Sequence, residues 1–452
     1  MNKVSFEQIV SLCKIRGFIF QGSEIYGGLA NTWDYGPLGS RLKNNLKDAW
    51  RKKFIQERSN SYELDSAILM HPRVWEASGH VESFSDPLID CKKCKIRSRA
   101  DNLIENAGLS GNSLGNDEMF ELIKSNGIKC PSCGECDFTE IREFNLMFET
   151  YRGTTNDKKS IVYLRPENAQ GEYINFANVQ RSMRCKLPFG IGQIGKAFRN
   201  EITPGNFTFR TIEFEQMEYQ TFCKKGFDTE LYDYFKKYGM NFFEEIGIPK
   251  TLLRFHDHEK LAHYAKAACD IEFLFPFGWG EINGTHNRTD YDLSRHQQYS
   301  KKSMEYLDSE TNEKFIPYII ESTYGVDRIF LALICSAYAE EEVNGDTRKI
   351  LKLNHKIAPY KAAILPLSKN LSSKAYEIYK DLSRMCMCDY DEAGSIGKRY
   401  RRQDEIGTPL CVTYDFDSET DGKMTIRQRD SMIQERIDIS ELKNYMSNYL
   451  KR

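Results

Sequence analysis

The segment Phe198-Arg199-Asn200-Glu201, followed by the turn residues Thr203-Pro204-Gly205-Asn206-Phe207 and then by Arg210-Thr211-Ile212-Glu213-Phe214, carries the strongest chemical pattern in the chain. Pro and Gly between two runs of alternating polar and apolar residues read as strand, loop, strand. That arrangement puts Arg199 and Arg210 on one surface, with Glu201 and Phe214 beside them. Two guanidiniums suit a polyphosphate, because arginine makes forked, charge-assisted bonds to phosphate oxygens, and an aromatic face can carry a purine. Taken alone, the pattern also fits ordinary charge alternation on a half-buried strand.

Towards the C-terminus, FIPYIIEST (315–323) reads as a strand that Gly325-Val326-Asp327-Arg328 ends before the apolar helix RIFLALICSAYAEE. Glycine allows a close backbone approach, and Arg328 falls in the first helical turn. A turn glycine before a solvated arginine would look the same. Towards the N-terminus, Leu38, Leu42, Leu46, Trp50 and Phe54 recur every three or four residues after Gly36-Pro37, which predicts an amphipathic helix. Residues 141–225 look strand-rich. Helices are expected from Leu231 to Ile246 and from His258 to Ala268, and the polar run from Glu340 to Asn354 reads as a linker. Beyond it, AAILPL (362–367), a helix from Ser372 to Met385 and a hairpin around Asp421-Gly422 suggest a separate α/β domain over 356–452. The rest divides into one domain, 1–90 with 141–350, and a cysteine-rich insertion, 91–140.

The chain has 452 residues, with 63 Lys+Arg against 65 Asp+Glu and 40% hydrophobic residues. That composition excludes a disordered protein, and the net charge of −2 argues against a sequence-blind nucleic-acid coat while leaving room for a local basic patch. No apolar run is long enough to span a membrane, and Glu7, Lys14 and Arg16 interrupt the first segment. Thirteen cysteines, an odd number, point to a reducing compartment, the cytoplasm. Cys91-Lys92-Lys93-Cys94 and Cys130-Pro131-Ser132-Cys133 are two knuckles that together offer four thiolates, a set suited to a structural Zn²⁺ with no open position. Cys136 is an alternative to Cys133, and two unrelated surface pairs are the plainer reading. The histidines of HDHEKLAH (256–263) look like a charged helix start rather than a metal site.

FRxE, then RxxxF, then GxxR before an apolar helix resembles motifs 2 and 3 of the class II aminoacyl-tRNA synthetases. The whole chain resembles the dimeric, α2-type glycyl-tRNA synthetase family through GFIFQGSEIYGG (17–28), DYGPLG (34–39), HPRVWEASGHVESFSDP (71–87), RPENAQG (165–171), FEQMEYQ (214–220) and IGKRYRRQDEIGTP (396–409). The resemblance implies an α+β fold: a six-stranded antiparallel sheet flanked by helices, a zinc-knuckle-like insertion and a C-terminal anticodon-binding domain. It implies that glycine is activated with ATP to glycyl-adenylate and pyrophosphate, then transferred to the 3′ end of tRNA(Gly).

The resemblance also assigns roles. Arg199 would hold the α-phosphate, Arg210 the γ-phosphate and Glu201 the adenine amino group, with Phe214 and Arg328 on opposite faces of the ring. Asn200, Phe209, Ile282, Gly325 and Asp327 would complete the ATP site, and Glu281 and Glu321 would bind Mg²⁺. Glu167, Glu218 and Glu321 would face the glycine ammonium and Arg99 its carboxylate, within a pocket lined by Phe214, Glu215, Gln216, Met217 and Thr323. A rigid pocket for the smallest amino acid rejects all others at the first side-chain carbon, so no editing domain is expected. Glu321-Ser322-Thr323 and Asn168 depart from the family's usual E-P-S and RPETAQG, which touches the detail of the glycine contacts. Lys398, Arg399, Arg401 and Arg402 would hold tRNA, unless they form a solvated helix face. The helix from Leu38 to Phe54 would join a homodimer, or else an intramolecular core. Two rival readings are a catalytically inactive, tRNA-binding relative and an amide-forming ligase on the same fold.

Overall fold

The structure, a computed structural model, describes residues 5–110, 114–154, 160–201, 205–258, 261, 265–343 and 345–451. Helix α1 (Pro37–Arg51) begins with Pro37 in its first turn, where the missing N–H costs nothing. It buries Leu38, Leu42, Leu46 and Trp50, as the spacing predicted. In chain order there follow β1 (Ser61–Glu63), β2 (Phe189–Phe198), β3 (Glu213–Cys223), α2 (Asp228–Glu245), β4 (Leu253–Asp257), β5 (Ala267–Phe275), β6 (Gly278–Thr289), β7 (Tyr318–Gly325) and α3 (Val326–Ala337). The strands form one sheet in the order β4-β5-β6-β7-β3-β2-β1. Six are antiparallel, as the resemblance implied, and short β1 joins β2 in parallel at the edge.

One face of this sheet packs on α1, α2 and α3. Leu42, Leu46, Trp50, Met217, Tyr219 and Phe330 share a single apolar core there. Truncating one of its large side chains, for example Leu42→Ala, would cost about 2–5 kcal/mol. The period of two along β3 sends Met217 and Tyr219 into that core and leaves Phe214, Gln216 and Glu218 for the other face. On that other face the sheet is open, and the cleft lies there.

Several expectations are corrected. Of the helix expected from His258 to Ala268 only the ends and Leu261 are described: His258 follows β4, and Ala267 and Ala268 open β5, where alternation outranks the Ala-rich composition. Residues 259–260 and 262–264 lie outside the described residues, as do Thr203 and Pro204 of the expected turn. The supposed linker is a hairpin of β8 (Tyr338–Val343) and β9 (Asp346–Leu351). Its polar residues alternate with buried Tyr338, Arg348, Ile350 and Leu351, a two-sided pattern that composition alone hides. Residues 141–225 also include helices at Ala169–Ile174 and Phe176–Met183. The cysteine module is closed by strands Ser85–Asp90, Arg97–Arg99 and Arg142–Asn145, so it reaches beyond 91–140.

The tail holds β10 (Ala362–Pro366), α4 (Ser372–Leu382), β11 (Cys388–Tyr390), α5 (Ile396–Ile406), β12 (Leu410–Tyr414), β13 (Lys423–Gln428), β14 (Gln434–Asp438) and α6 (Leu442–Leu450). Its sheet runs β11-β10-β12-β13-β14 around a core of its own. The tail docks on the hairpin through buried charges. Arg348 Nε donates to Asp404 Oδ2 at 2.8 Å, and Arg427 donates to both Asp404 oxygens at 2.9 and 3.1 Å. Asn45 of α1 donates to the carbonyls of Ile357 and Ala358, which fastens the connecting segment. Among the described residues no helix is long and apolar enough to cross a membrane.

Candidate active site and metal centre

The guanidiniums of Arg199, Arg210 and Arg328 line one cleft on the open face of the sheet. Arg199, at the end of β2, donates from Nε to Pro166 O (3.1 Å) and stacks over the Phe84 and Phe214 rings at 5.3 and 5.2 Å. Arg210 reaches across to Glu201 at 3.3 Å. Arg328, in the first turn of α3, lies 4.3 Å over the Phe209 ring, donating to Phe209 O and to the Glu281 carboxylate at 2.8 Å. Ile282, Thr323 and Gly325 complete this wall.

A cluster of carboxylates closes the other end. Glu321 accepts from His286 (2.8 Å) and Arg288 (3.1 Å) on one oxygen and from Tyr173 and Gln220 on the other. Burial alone would raise its carboxyl, but Arg288 and His286 outweigh it and pull it down to about 2. Glu167, bonded to Gln170, is likewise held below the usual range, with His80 and then Arg288 overcoming burial. Glu218 behaves oppositely. Burial, reinforced by the charges of Glu321 and Glu167, pushes its carboxyl well above the usual range. The three therefore differ in charge, and a cation entering among them would draw the proton from Glu218.

Arg288 went unnoticed in the sequence. It lies in β6, forks onto Asp292 at 2.8 and 3.0 Å and lines the carboxylate end of the cleft. Stepping by twos from Glu281 along β6 points Arg288 away from the cleft. The register slips between Ile271 and Glu272, opposite Asn283 and Glu281, and this irregularity restores Gly284, His286 and Arg288 to the open face. The signal was a buried-strand arginine, but only with the bulge known.

Other expected residues sit elsewhere. Of the described residues assigned to the cleft, Asn200, Arg99 and Met217 lie off its wall. Asn200 donates its backbone N–H to Leu146 O. Arg99 is tied to Asp86 and Asp101 at 3.0 and 2.6 Å, and Met217 points into the helix-side core. Gln216 lines the cleft, but Glu215 gives its carboxylate to Lys43 and Lys47. Asp327 binds Lys43, Tyr35 and the Glu215 N–H. Glu321 does not suit Mg²⁺, because four protein donors already occupy its oxygens. Glu281, with one partner and a half-exposed side chain, does.

The four cysteines of the two knuckles converge. Cys91 and Cys133 stand 3.6 Å apart, Cys94 and Cys130 also 3.6 Å apart, and all four sulfurs lie within 4.8 Å of one another. Zn–S bonds of about 2.3 Å in a tetrahedron require sulfurs ~3.8 Å apart, so the set fits zinc. Backbone N–H groups of Cys94 and Lys93 pull the Cys91 thiol down to about 7. Cys136 is exposed, donates to Gly127 O and stands outside the cluster, which answers the choice between it and Cys133. His256 and His258 pair with Glu272 and Asp270 along the sheet edge.

The family description "tRNA synthetase class II core domain (G, H, P, S and T)" matches residues 147–338, and "Anticodon binding domain" matches residues 361–449. The glycine–tRNA ligase of Caldanaerobacter subterraneus subsp. tengcongensis is 59% identical over 457 residues, covering 99% of each chain. Those of Bacillus anthracis and Geobacillus kaustophilus are 56% and 57% identical, covering 99% and 98% of each chain. The chain belongs to the glycine–tRNA ligase family. Its core is that of a class II synthetase, and its tail, with mixed parallel and antiparallel pairing, is the family's anticodon-binding domain.

Within that domain the expected basic patch divides. Arg399 is buried and donates to the carbonyls of Pro366, Asp391 and Leu367, and Arg402 is paired with Asp391. Both lie on sides of α5 turned towards the sheet or its loops, so their charges build the domain. Lys398 is exposed and Arg401 half-buried.

Proposed function

We propose that this chain joins glycine to ATP and passes the glycyl group to the 3′ end of tRNA(Gly). The convergence of Arg199, Arg210 and Arg328 beside Glu167, Glu218 and Glu321 supports this most directly. In the first step an oxygen of the glycine carboxylate attacks the α-phosphorus and pyrophosphate leaves. Arg199 faces the oxygens where charge builds, and a fixed donor there stabilises the transition state. Arg210 neutralises the far phosphate, and Glu281 is the carboxylate that would hold a Mg²⁺, which would supply further charge neutralisation. Glu201, Phe214 and Arg328 seat the adenine. In the second step a ribose hydroxyl of the tRNA attacks the adenylate carbonyl and AMP leaves. No side chain is needed as a covalent nucleophile.

Glu167, Glu218 and Glu321 suit the ammonium, and Arg288, taking the part first given to Arg99, offers positive charge to the carboxylate. All of Arg199, Glu201, Arg210, Phe214 and Arg328 line the cleft, and nothing favours an inactive relative. A complete anticodon-binding domain tells against an amide ligase. The thiolate set supports a structural Zn²⁺, and the thirteen cysteines support a reducing cytoplasm. The stripe of α1 is used inside the chain. A homodimer is supported instead by the exposed Ile15, Ile25, Tyr26 and Leu29 near the N-terminus.

The test is pyrophosphate exchange with Mg-ATP across all amino acids. Exchange should require glycine, and Arg199→Ala should abolish it. Alanine or serine supporting a similar rate would overturn the glycine assignment.

A further inference from the structure

Asp327 sits in the Gly325–Arg328 turn on the cleft wall, yet its carboxylate is committed to a buried knot. One oxygen accepts from Lys43 Nζ at 2.9 Å and from the Tyr35 hydroxyl, and the other accepts from the Glu215 N–H at 2.7 Å. Lys43 lies on α1, is 5% exposed, reaches Glu215 at 3.1 Å and stands 3.9 Å over the Tyr35 ring. Glu215 is also held by Lys47 at 2.9 Å, and Thr208 Oγ1 donates to Asp327 O at 3.4 Å.

The place of this knot gives it leverage. Ladder pairing between β3 and β7 ends at Gln216 and Gly325, where β7 turns into α3. The Asp327 carboxylate takes over as acceptor for the next β3 amide, so it fixes the end of β3 that carries Phe214. The same residue opens the helix turn that carries Arg328, where a negative charge is favourable. Through Thr208 it holds the loop that carries Phe209. Three groups facing the adenine end of the cleft hang from one residue, two through its carboxylate and its place in the helix turn and one through its carbonyl, and Lys43 is the buried cation that balances it.

We propose that Lys43 is a positioning residue for ATP: it acts through Asp327 to set Phe209, Phe214 and Arg328, and leaves the glycine end alone. This rests on the reading of the cleft as an ATP and glycine site. Glu218 and Glu321 lie inside the β3–β7 ladder, where strand pairing rather than Asp327 holds them, and Glu167 precedes the helix Ala169–Ile174, which is why the two substrates should respond differently.

Two full-length variants test it, Lys43→Met and the double variant Lys43→Met/Asp327→Asn. The double variant removes the unpaired buried charge that the single one leaves, so it folds where the single one fails to. Mg-ATP affinity is read by titration calorimetry without glycine, the two KM values by exchange, and thermal midpoints alongside. The expected result is ATP binding weakened at least about fivefold in each folded variant, with glycine KM within about twofold of the parent. The double variant should regain melting temperature without regaining ATP affinity. ATP affinity returning together with the melting temperature, glycine KM rising in step, or no loss of ATP affinity would each overturn the proposal. A parent enzyme that binds ATP but exchanges with no amino acid would instead overturn the functional reading, while the calorimetric comparison still decides the role of Lys43.

Discussion

Glu321→Gln separates charge from shape at the amino-acid end of the cleft. Glutamine fills the same volume and keeps a polar group beside His286, and Arg288 keeps its forked contact with Asp292, so the fold should survive. What is lost is one negative charge that Arg288 and His286 hold ionised down to about pH 2. A charge pair about 4 Å apart at an effective dielectric of ~20 is worth about 4 kcal/mol, and dehydrating the ammonium takes back part of it. The net loss should be about 2–3 kcal/mol, or ~30- to 150-fold in kcat/KM for glycine. Glycine-dependent pyrophosphate exchange at saturating ATP measures it, with the ATP KM expected within about twofold of the parent. Loss under about threefold, or equal losses for ATP and glycine, would refute the assignment of Glu321 to the ammonium.

Glu218 should make glycine binding pH-dependent. Its carboxyl is raised by burial and by the Glu321 and Glu167 charges, and the ammonium favours its ionised form. Glycine KM should therefore fall as pH rises towards neutrality, ATP KM should not, and Glu218→Gln should flatten the profile. In the cysteine module, Cys133→Ser should bring bound zinc below about half an equivalent per chain by metal analysis, whereas Cys136→Ser should leave it at about one. Asp404→Asn leaves Arg348 and Arg427 facing each other without their common counter-charge, which should cost about 3–5 kcal/mol in denaturant unfolding. Charging of tRNA should fall while glycine-dependent exchange stays within about twofold.

Much of the fold was legible because local pattern and final packing agree. The stripe of α1, the break at Gly325 and the knuckle spacing each carry their own physical signature, and each forms as written. Where tertiary context decides, the reading went astray. Nothing local distinguishes the hairpin Tyr338–Leu351 from a polar linker until Arg348 finds Asp404, since its burial depends on a partner in another domain. The arginines of α5 look equivalent along the chain, yet helical phase turns Arg399 towards the sheet and leaves Lys398 in solvent. Placing Met217 in the glycine pocket ignores its neighbours Gln216 and Glu218, which fix its parity to the opposite face. Arg288 was hidden for a subtler reason, a slip in register that no single-strand count reveals.

The Arg348–Asp404–Arg427 knot bears on how a large ligand must behave. With Asn45 gripping the connecting segment and Arg16 pairing with Glu405 of α5 as well, the tail has several separate anchors on the core, one of them inaccessible to water. A module moored in this way should act as a caliper with its jaws set, holding the span between its recognition face and the reactive cleft nearly constant. A misfit in reach would then fall to bending of the RNA, which would make stiffness of the nucleic acid part of what the enzyme selects.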